Sequence, residues 1–408
     1  MGFLSERSRY AQNAIEMEDA TAEALAKKGM KIIELNRGDP TYYINTPKYI
    51  INAYKRALDE NKTHYSRAEG IKELTEAISK RYKHLYNIDF DEDKVIVTQG
   101  VSEALSILNS ALINDGDKAV LFRPYYPPYM PYLKMNGGEA VLESYDESNN
   151  WNIHIENLKK SLKNIKNEGK INRVKYMLIT NPNNPTGTVM DKSVLEEIVD
   201  IANEYNIMLV SDEIYDEIIF NNAKFTSVSK LAKGIPHIIF NGMSKDYDAT
   251  GFRIGYAIIP EEDKKSIEIR KKFYDYAMVR VSSNTPAEYA AAEAIGNIKV
   301  HEREVKKLVK QISERVNFTY KLLSENKYMS IVKPNSAYYL FPKVFIEELG
   351  FKRDVDFVDK LLKEKGIQTV WGSAFGSPSH IRIVALAPNN LLEEAIIKIN
   401  DFCKEHKK

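Results

Sequence analysis

One lysine and one arginine, eight positions apart, carry the strongest chemical signal in this sequence. Lys245 follows a β-rich run over residues 237–241, and Arg253 lies further along the same glycine-containing segment. A lysine amine can form a Schiff base with a carbonyl cofactor, and an arginine guanidinium can bind a phosphate group. The chain holds 58 lysines and arginines, most of which are expected on a solvated surface, so this pair needs support from other residues.

A glycine turn at residues 98–102 could supply further phosphate ligands. The segment Thr-Gln-Gly-Val-Ser follows a predicted strand and precedes a predicted helix, so Val101 and Ser102 stand at a helix start. Free backbone N–H groups, the helix dipole and the Ser102 hydroxyl would then bind an anion. The alternative is an ordinary helix that is capped by serine.

Three polar residues follow two other predicted strands. Their side chains could bind the ring nitrogen and the phenolic oxygen of an aromatic heterocycle. Asp212 follows the run at residues 208–211, and a buried carboxylate beside a ring nitrogen keeps that nitrogen protonated. Tyr215 and Asn184, the latter in the loop Asn-Pro-Asn-Asn-Pro-Thr-Gly (181–187), could hydrogen-bond the phenolic oxygen. A helix cap at Asp212 and a plain turn at Asn184 are the alternatives.

An aromatic loop and an arginine on a predicted strand complete the set. Tyr126 lies in Arg-Pro-Tyr-Tyr-Pro-Pro-Tyr (123–129), where its ring could stack on a flat cofactor or simply pack in the core. Arg382 alternates with apolar neighbours, and its planar guanidinium suits a bidentate grip on an α-carboxylate, unless it faces solvent on an edge strand. Together these groups meet the needs of pyridoxal phosphate, which requires an amine, phosphate ligands and a protonated ring nitrogen.

The elements that must position these residues follow an α/β pattern. Between residues 94 and 256 short β-branched runs alternate with helical patterns, which predicts a mainly parallel sheet with crossover helices. Ligands of such sheets bind where the strands end, and the polar residues above fall there. After residue 328 the pattern changes to that of a smaller α+β domain. The predicted strands of the sheet span residues 94–98, 119–122, 140–144, 174–180, 208–211, 237–241 and 254–259.

Composition argues against several other classes of protein. The chain has 408 residues, of which 43% are hydrophobic and 28% charged, as in a globular protein with a sizeable core. A net charge of +1 favours neither nucleic acid nor an acidic membrane surface, so we predict neither partner. The single cysteine, Cys403, excludes an internal disulfide framework and a cysteine-rich metal site, and we predict no metal. Without a transmembrane run or an apolar signal core, we expect a cytoplasmic protein.

The order of these motifs resembles the class I/II aminotransferases of fold type I, over about residues 29–400. Within that class the sequence looks like the alanine aminotransferase group of archaea and bacteria. The segments that support this likeness are Leu-Asn-Arg-Gly-Asp-Pro (35–40), Tyr-Pro-Pro-Tyr (126–129), Asn-Gly-Met-Ser-Lys (241–245), Asn-Thr-Pro-Ala (284–287) and Gly-Ser-Ala-Phe-Gly (372–376).

The resemblance implies an α/β fold of the type I pyridoxal-phosphate transferases. Its large domain has a mainly parallel seven-stranded sheet flanked by helices, and a smaller α+β domain is attached to it. The implied boundaries are an N-terminal segment at residues 1–45, which contributes to the small domain and the active site, a large cofactor-binding domain at 46–290 and a small C-terminal domain at 291–408.

The resemblance also implies a role for each residue of the site. Lys245 would form the internal aldimine with pyridoxal 5'-phosphate and then move the proton between the substrate α-carbon and the cofactor. Gly38, Asn184 and Arg382 would bind the substrate. Tyr65 would reach the phosphate of the neighbouring subunit, which implies a homodimer with shared active sites. The other cofactor ligands would be Val101, Ser102, Ser244 and Arg253 at the phosphate, Asp212 at the pyridine nitrogen, Tyr215 and Asn184 at the 3-oxygen, and Tyr126 stacked on the ring.

The implied reaction is a ping-pong transfer of an amino group from an L-amino acid to a 2-oxo acid. L-Alanine with 2-oxoglutarate is the first pair, and aspartate or a broad set with aromatic amino acids is the alternative donor. A carbon–sulfur β-lyase is an alternative reaction at the same site. A pyridoxal-binding transcription regulator is disfavoured because the enzyme pattern begins by residue 29 and leaves no room for a DNA-binding domain.

Two positions depart from the family pattern. Gly242 stands three residues before the lysine, where many relatives carry Ser or Thr, so one phosphate hydrogen bond would be missing. Glu16, in Asn-Ala-Ile-Glu (13–16), stands where the alanine group has the arginine of a Tyr-Ala-Ile-Arg motif. An acid at this place would alter recognition of the second carboxylate of glutamate, so the departure concerns the substrate and not the reaction class.

Overall fold

Fifteen strands and thirteen α-helices form the regular structure of residues 3–407, which a computed structural model describes. The strands, β1 to β15 in chain order, are Ile33–Glu34, Val95–Thr98, Lys118–Arg123, Glu139–Asp146, Asn152–Ile153, Val174–Thr180, Met208–Asp212, His237–Gly242, Gly255–Ile258, Met329–Ser330, Tyr339–Leu340, Lys343–Val344, Ile367–Gln368, Val370–Trp371 and Ile381–Val384. The helices, α1 to α13, are Asp19–Lys27, Lys48–Asp59, Lys72–Tyr86, Val101–Leu112, Tyr129–Met135, Ile155–Asn167, Lys192–Tyr205, Val228–Leu231, Lys264–Arg280, Thr285–Gly296, Ile298–Ser324, Asp354–Lys365 and Asn389–His406.

The central sheet has the strand order β2-β9-β8-β7-β6-β3-β4-β5. Neighbours from β8 through β4 pair in parallel, whereas β9 runs antiparallel to both β2 and β8. All seven predicted strands are present, so the mainly parallel α/β sheet is confirmed. An eighth strand, the two-residue β5, pairs antiparallel with the end of β4 and extends the edge of the sheet beyond the predicted seven strands. Two residues are too few to produce an alternating sequence pattern, which is why this strand was not predicted.

The sheet is buried on both faces because its strands send alternate side chains toward two cores. In β3, Val120 and Phe122 join the core on one face, while Ala119 and Leu121 join the core on the other. Helices α3, α7 and α10 contribute to the first core, and α4 and α9 to the second. Burial of both faces explains why the central strands β3, β6, β7 and β8 read as largely apolar runs, whereas β4, near the edge, is partly exposed.

A separate core lies under the C-terminal part of the chain. Side chains of α11, α12 and α13 pack there with the three-stranded sheet β11-β15-β14, and the buried Cys403 belongs to it. Strand β1 pairs in parallel with β13, with Ile33 opposite Ile367, so the N-terminal segment packs beside C-terminal strands. The C-terminal part combines helices with short, mostly antiparallel strands, as expected for a smaller α+β domain. The domain boundaries at residues 45/46 and 290/291 stay a prediction.

The fold brings the ends of several strands to one edge of the central sheet. Strands β6, β7 and β8 are neighbours and run in the same direction, so the residues that follow them, including Asn184 and Lys245, emerge side by side. The helix α4 begins at this same edge, directly after β2. Among the helices of residues 3–407, none combines the length and the apolar character that crossing a lipid bilayer requires.

Candidate active site

A cavity of about 310 Å³ lies at this edge of the sheet, and the predicted site residues converge on it. Eleven of the twelve line its wall, although they come from segments distributed between residues 38 and 382. They are Gly38, Val101, Ser102, Tyr126, Asn184, Asp212, Tyr215, Ser244, Lys245, Arg253 and Arg382. The twelfth, Tyr65, lies between α2 and α3 with 80% of its surface exposed and does not line the cavity of its own chain.

Lys245 follows β8 in a turn that directs its amine into the cavity. Its Nζ donates a hydrogen bond of 2.6 Å to the carbonyl oxygen of Gly38, which also accepts a 2.9 Å hydrogen bond from the Tyr338 hydroxyl. Burial lowers the pKa of Lys245 to about 8, and the opposing effect of the Asp39 carboxylate is smaller. About one tenth of the amine is therefore neutral at pH 7, far more than for an ordinary lysine, and only the neutral amine can attack a carbonyl carbon.

The start of α4 and Arg253 form an anion-binding corner of the cavity. The first N–H groups of a helix have no intrahelical acceptor, and Val101 and Ser102 begin α4. The Arg253 side chain is held by hydrogen bonds to the carbonyl oxygens of Thr250 at 3.0 Å and Gln99 at 3.3 Å. Gly100 has a φ of +73°, and a Cβ atom there would overlap Nη2 of Arg253. The glycine therefore permits the close approach of guanidinium and helix start that a phosphate group needs.

Asp212 ends β7 as a buried carboxylate that accepts hydrogen bonds, and the charge that favours its ionised form is that of Lys245. Its Oδ2 accepts a 2.7 Å hydrogen bond from the Tyr129 hydroxyl, and its Oδ1 accepts one of 3.3 Å from the N–H of Ile214. Burial raises the pKa of Asp212 to about 6 in spite of the Tyr129 hydrogen bond, and within residues 3–407 no side chain forms an ion pair with it. A protonated ring nitrogen would supply the missing positive charge, so this residue fits a pyridinium group.

Two side chains beside Asp212 present hydrogen-bonding groups to the same space. The hydroxyl groups of Tyr215 and Tyr339 lie 2.7 Å apart. The Asn184 Oδ1 accepts a 3.1 Å hydrogen bond from Nη1 of Arg382, which fixes the orientation of its amide. A phenolic oxygen in this position would find donors on both Tyr215 and Asn184.

Arg382 lies on β15 with only 1% of its surface exposed. Its guanidinium lies 4.9 Å from the ring centre of Tyr339 and 5.0 Å from that of Phe375, and it donates to Asn184 and to the carbonyl oxygen of Asn36. In the described part of the chain it forms no ion pair with a carboxylate. A buried guanidinium that is oriented by neutral groups alone is suited to a carboxylate ligand.

Several residues that sequence analysis did not assign also belong to the site. Tyr129 was visible in the aromatic loop but had no predicted role, and Tyr339 and Tyr338 gave no signal because their partners lie far away in sequence. Arg37, next to Gly38 in the quoted segment Leu-Asn-Arg-Gly-Asp-Pro, lines the cavity as a fourth cation beside Lys245, Arg253 and Arg382.

The two departures from the family pattern have different structural settings. A Cβ atom on Gly242 would lie 2.7 Å from the carbonyl oxygen of Ile254 and 2.8 Å from Cα of Gly255, so the neighbouring strand excludes Ser or Thr there. Glu16 is the exposed last residue of a short 3-10 helix, Ala14–Glu16, and it lines the cavity together with Asn13 and Ile15. The N-terminal segment thus contributes to the cavity wall.

The fold and the cavity define a pyridoxal-phosphate-dependent enzyme of fold type I. The chain belongs to the class I and II aminotransferases, whose family model matches residues 30–399. It is 32% identical over 391 residues to an aspartate aminotransferase of Bacillus subtilis, with 95% of each chain covered. It is 31% identical to the glutamate–pyruvate aminotransferase AlaA of Haemophilus influenzae, over 94% of this chain and 93% of that protein. The solved alanine aminotransferase of Pyrococcus furiosus matches 98% of this chain and 100% of its own with 36% identity and a TM-score of 0.92.

These comparisons confirm the predicted family, the predicted fold and the predicted cofactor. The protein is a pyridoxal-phosphate-dependent aminotransferase, and the relatives named above are all aminotransferases. They are named for aspartate, alanine and glutamate with pyruvate, so they agree on the reaction and differ in the substrate. None of the three is named as a carbon–sulfur lyase, and that alternative gains no support.

Proposed function

We propose that the enzyme transfers the amino group of a small L-amino acid, L-alanine first, to 2-oxoglutarate in two half-reactions. The observation that carries this proposal is the convergence of Lys245, Arg253 and Arg382 on one cavity that the buried Asp212 also lines. Arg253 is suited to the cofactor phosphate, Arg382 to the substrate carboxylate and Lys245 to the cofactor carbonyl group. The likeness to an alanine aminotransferase over 98% of this chain supports alanine as the first donor to test.

In this proposal the protein's own groups divide the work as follows. Arg253, Ser102, Ser244 and the N–H groups at the start of α4 hold the phosphate, and Asp212 holds a proton on the ring nitrogen. Pyridoxal phosphate, when bound, supplies an electron sink for the electrons of the substrate Cα–H bond. Arg382 orients the substrate carboxylate, and the Lys245 amine removes the α-proton and returns it after the bond rearrangement. Tyr126 covers one face of the ring, and Tyr215 and Asn184 donate to its oxygen.

Arg37 supports a dicarboxylic partner such as 2-oxoglutarate. Its Nη2 donates to Asp19 at 2.6 Å and its Nη1 donates to the Tyr42 hydroxyl at 3.1 Å. The Nε atom is buried and lies 3.9 Å from Glu34 Oε2, so one N–H on each of the two Nη atoms remains for a second carboxylate without displacement of Asp19. Glu16 lines the same cavity, and its negative charge would repel the second carboxylate that Arg37 attracts. The preference of the enzyme for substrates with acidic side chains over those with neutral side chains would therefore be moderate. Aspartate is the second candidate donor because it would use the same arginine, and the B. subtilis relative is named for it.

We also propose that two copies of the chain complete each other's sites. Tyr65 lies outside the cavity of its own chain and is 80% exposed, as a residue that acts in a neighbouring subunit would be. Exposed apolar side chains of the α9 region, among them Met278, Val279 and Val281, would lose their contact with water in a dimer. The cytoplasmic location stays a prediction from the sequence.

Absorbance spectroscopy of the purified holoenzyme tests this function. Single amino acids are added without any oxo acid, and the visible absorbance of the bound cofactor is followed as it converts to the amine form. We expect alanine to give the largest kcat/KM, with aspartate and glutamate measurable and aromatic amino acids lower. Addition of 2-oxoglutarate should then restore the original spectrum.

The Lys245→Ala variant serves as the control because it keeps the phosphate and ring ligands but lacks the amine. Alanine should not produce the catalytic spectral cycle in this variant. Aspartate ahead of alanine would transfer the proposal to the second candidate, and release of ammonia and pyruvate without an acceptor would contradict transamination.

A further inference from the structure

A buried ionic cluster lies next to the Lys245 turn, outside the cavity. Arg81 on α3 is buried, and its Nη2 lies 3.0 Å from Asp216 Oδ1, 2.6 Å from Glu217 Oε2 and 3.7 Å from Asp246 Oδ2. One oxygen atom of each of the three carboxylates lies within 4.8 Å of the other two. None of these four side chains lines the cavity. The cation that the three carboxylates share is the Arg81 guanidinium.

The cluster connects the two loops that carry the central residues of the site. Asp216 directly follows Tyr215 after β7, and Asp246 directly follows Lys245 after β8. The next residue, Tyr247, stacks on the His301 imidazole with ring centres 3.9 Å apart and planes 14° apart. A displacement within the cluster would therefore move the backbone beside the reactive amine.

Asp246 is the member of the cluster that lacks hydrogen-bond donors. Asp216 accepts from Arg81 and, at 2.6 Å, from the Tyr86 hydroxyl, and Glu217 accepts from Arg81 and lies 2.9 Å from Nε2 of His301. Both carboxylate oxygens of Asp246 are buried without a hydrogen-bond donor in residues 3–407, and the residue is 3% exposed. An ionised carboxylate in such a place is strongly unfavourable.

A count of charges leads to the same conclusion. One guanidinium faces three carboxylates, which leaves a surplus of two negative charges. A single proton on Asp246 lowers this surplus to one and turns Asp246 from an acceptor without donors into a donor, for which the Asp216 carboxylate is the neighbouring acceptor. The other titratable groups around the pair are Glu213, Glu217, Tyr82, Tyr86, Tyr247, Tyr256 and His301.

The two carboxyl groups have pKa values displaced in opposite directions. Burial, followed by the neighbouring negative charge of Asp216, raises the pKa of Asp246 well above its usual range. Burial also opposes ionisation of Asp216, but the charge of Arg81 and the hydrogen bonds around it lower the pKa of Asp216 to about 2. Opposite displacements of this kind are typical of two carboxyl groups that share one proton.

We propose that Asp246 is a positioning residue whose carboxyl group carries a proton, donates it in a hydrogen bond to Asp216, and so fixes the Lys245 turn against the loop of Asp212 and Tyr215. The inference rests on the proposed role of Lys245 for its effect on the reaction. Its structural part, the protonated carboxyl, does not depend on that role.

Two variants of the holoenzyme test the effect on the reaction. Asp246→Ala removes the hydrogen bond and should lower kcat for the alanine half-reaction by about 10- to 100-fold, with KM within about twofold, because a small misplacement of a reacting group costs rate and not binding. Asp246→Asn supplies an amide N–H in place of the protonated carboxyl and should restore kcat to within about threefold of the natural enzyme. Equal impairment of both variants would overturn the proposal, because an ionised carboxylate would then be the required form.

The unfolding equilibrium provides a second readout that is independent of catalysis. Between the unfolded pKa of Asp246 and its raised folded pKa, this one carboxyl group holds a proton in the folded state that it loses in the unfolded state, so its contribution to stability falls as pH rises. Relative to Asp246→Asn, its unfolding constant should increase by about tenfold per pH unit, as measured by urea titration at pH 5, 6 and 7. A ratio that does not change with pH would overturn the proposal. Absence of transamination together with a pH-dependent ratio would instead refute only the proposed function.

Discussion

Replacement of Arg382 by glutamine should separate substrate binding from protein stability. The guanidinium is 1% exposed and donates to Asn184 Oδ1 at 3.1 Å, but it forms no ion pair within residues 3–407. A bidentate grip on the substrate carboxylate would add two charged hydrogen bonds, each worth about 1.5–3 kcal/mol. Their loss amounts to about 3–6 kcal/mol, which at about 1.4 kcal/mol per factor of ten predicts a decrease in kcat/KM of about 10²- to 10⁴-fold.

The same substitution should change the folding stability very little. The buried charge is costly, and in the natural protein it is offset by Asn184, by the Asn36 carbonyl and by the rings of Tyr339 and Phe375 at 4.9 and 5.0 Å. Each cation–π contact contributes about 0.5–2 kcal/mol, and glutamine gives up these contacts but also removes the buried charge. We therefore expect the free energy of unfolding to fall by less than about 1 kcal/mol, or to rise.

Two amines distinguish this account from a general loss of structure. L-Alanine carries the carboxylate that Arg382 would bind, and ethylamine lacks it, so the substitution should slow the reaction of alanine and leave that of ethylamine within about threefold. Arg353→Gln, which breaks an exposed ion pair with Asp356 on α12, is a matched control that should affect neither amine. An equal decrease for both amines, or a decrease for alanine of less than about tenfold, would refute the reasoning.

Three further predictions follow from local features. Because burial lowers the pKa of Lys245 to about 8, the rate at which the apoenzyme captures pyridoxal phosphate should rise with pH and level off above about 8; stopped-flow absorbance measures this, and a rate that still rises at pH 10 would contradict it. Gly100→Ala, whose Cβ would overlap Arg253, should weaken cofactor binding by at least about tenfold in equilibrium dialysis, whereas Gly234→Ala, with a φ of +77° and nothing within 4 Å, should not. Glu16→Gln removes a negative charge from the cavity wall and should raise kcat/KM for 2-oxoglutarate up to about fivefold relative to pyruvate, in coupled assays; an unchanged ratio would exclude Glu16 from substrate selection.

The sequence predicts the main elements of the fold because they produce long, regular patterns. The limits of β6 agree with the predicted strand at residues 174–180 to the residue, since Val174–Thr180 is a β-branched and apolar run that is interrupted only by Lys175. Strand β5 is too short for such a pattern and forms only because the chain folds back along the end of β4. Pairing between distant segments, such as β1 with β13, also lies beyond what local periodicity can indicate.

The site shows the same division between local signals and distant partners. Asp212, Lys245 and their neighbours could be recognised because an unusual polar residue at the end of an apolar strand is a local signal. The hydrogen bond from Tyr129 to Asp212 joins residues 83 positions apart, and that between Tyr215 and Tyr339 joins residues 124 positions apart, so no local pattern contains them. The proton that we assign to Asp246 depends on the sum of charges that only the folded chain brings together.

Reductive trapping of the holoenzyme tests the central claim most directly. Sodium borohydride reduces the C=N bond between cofactor and lysine, and peptide mass spectrometry then identifies the modified residue. The account predicts one cofactor-derived modification, on the peptide that contains Lys245, and its loss when alanine is added before reduction. Modification of a different lysine, or an equal yield after alanine, would contradict the assignment of Lys245 as the residue that holds the cofactor and is displaced by the substrate.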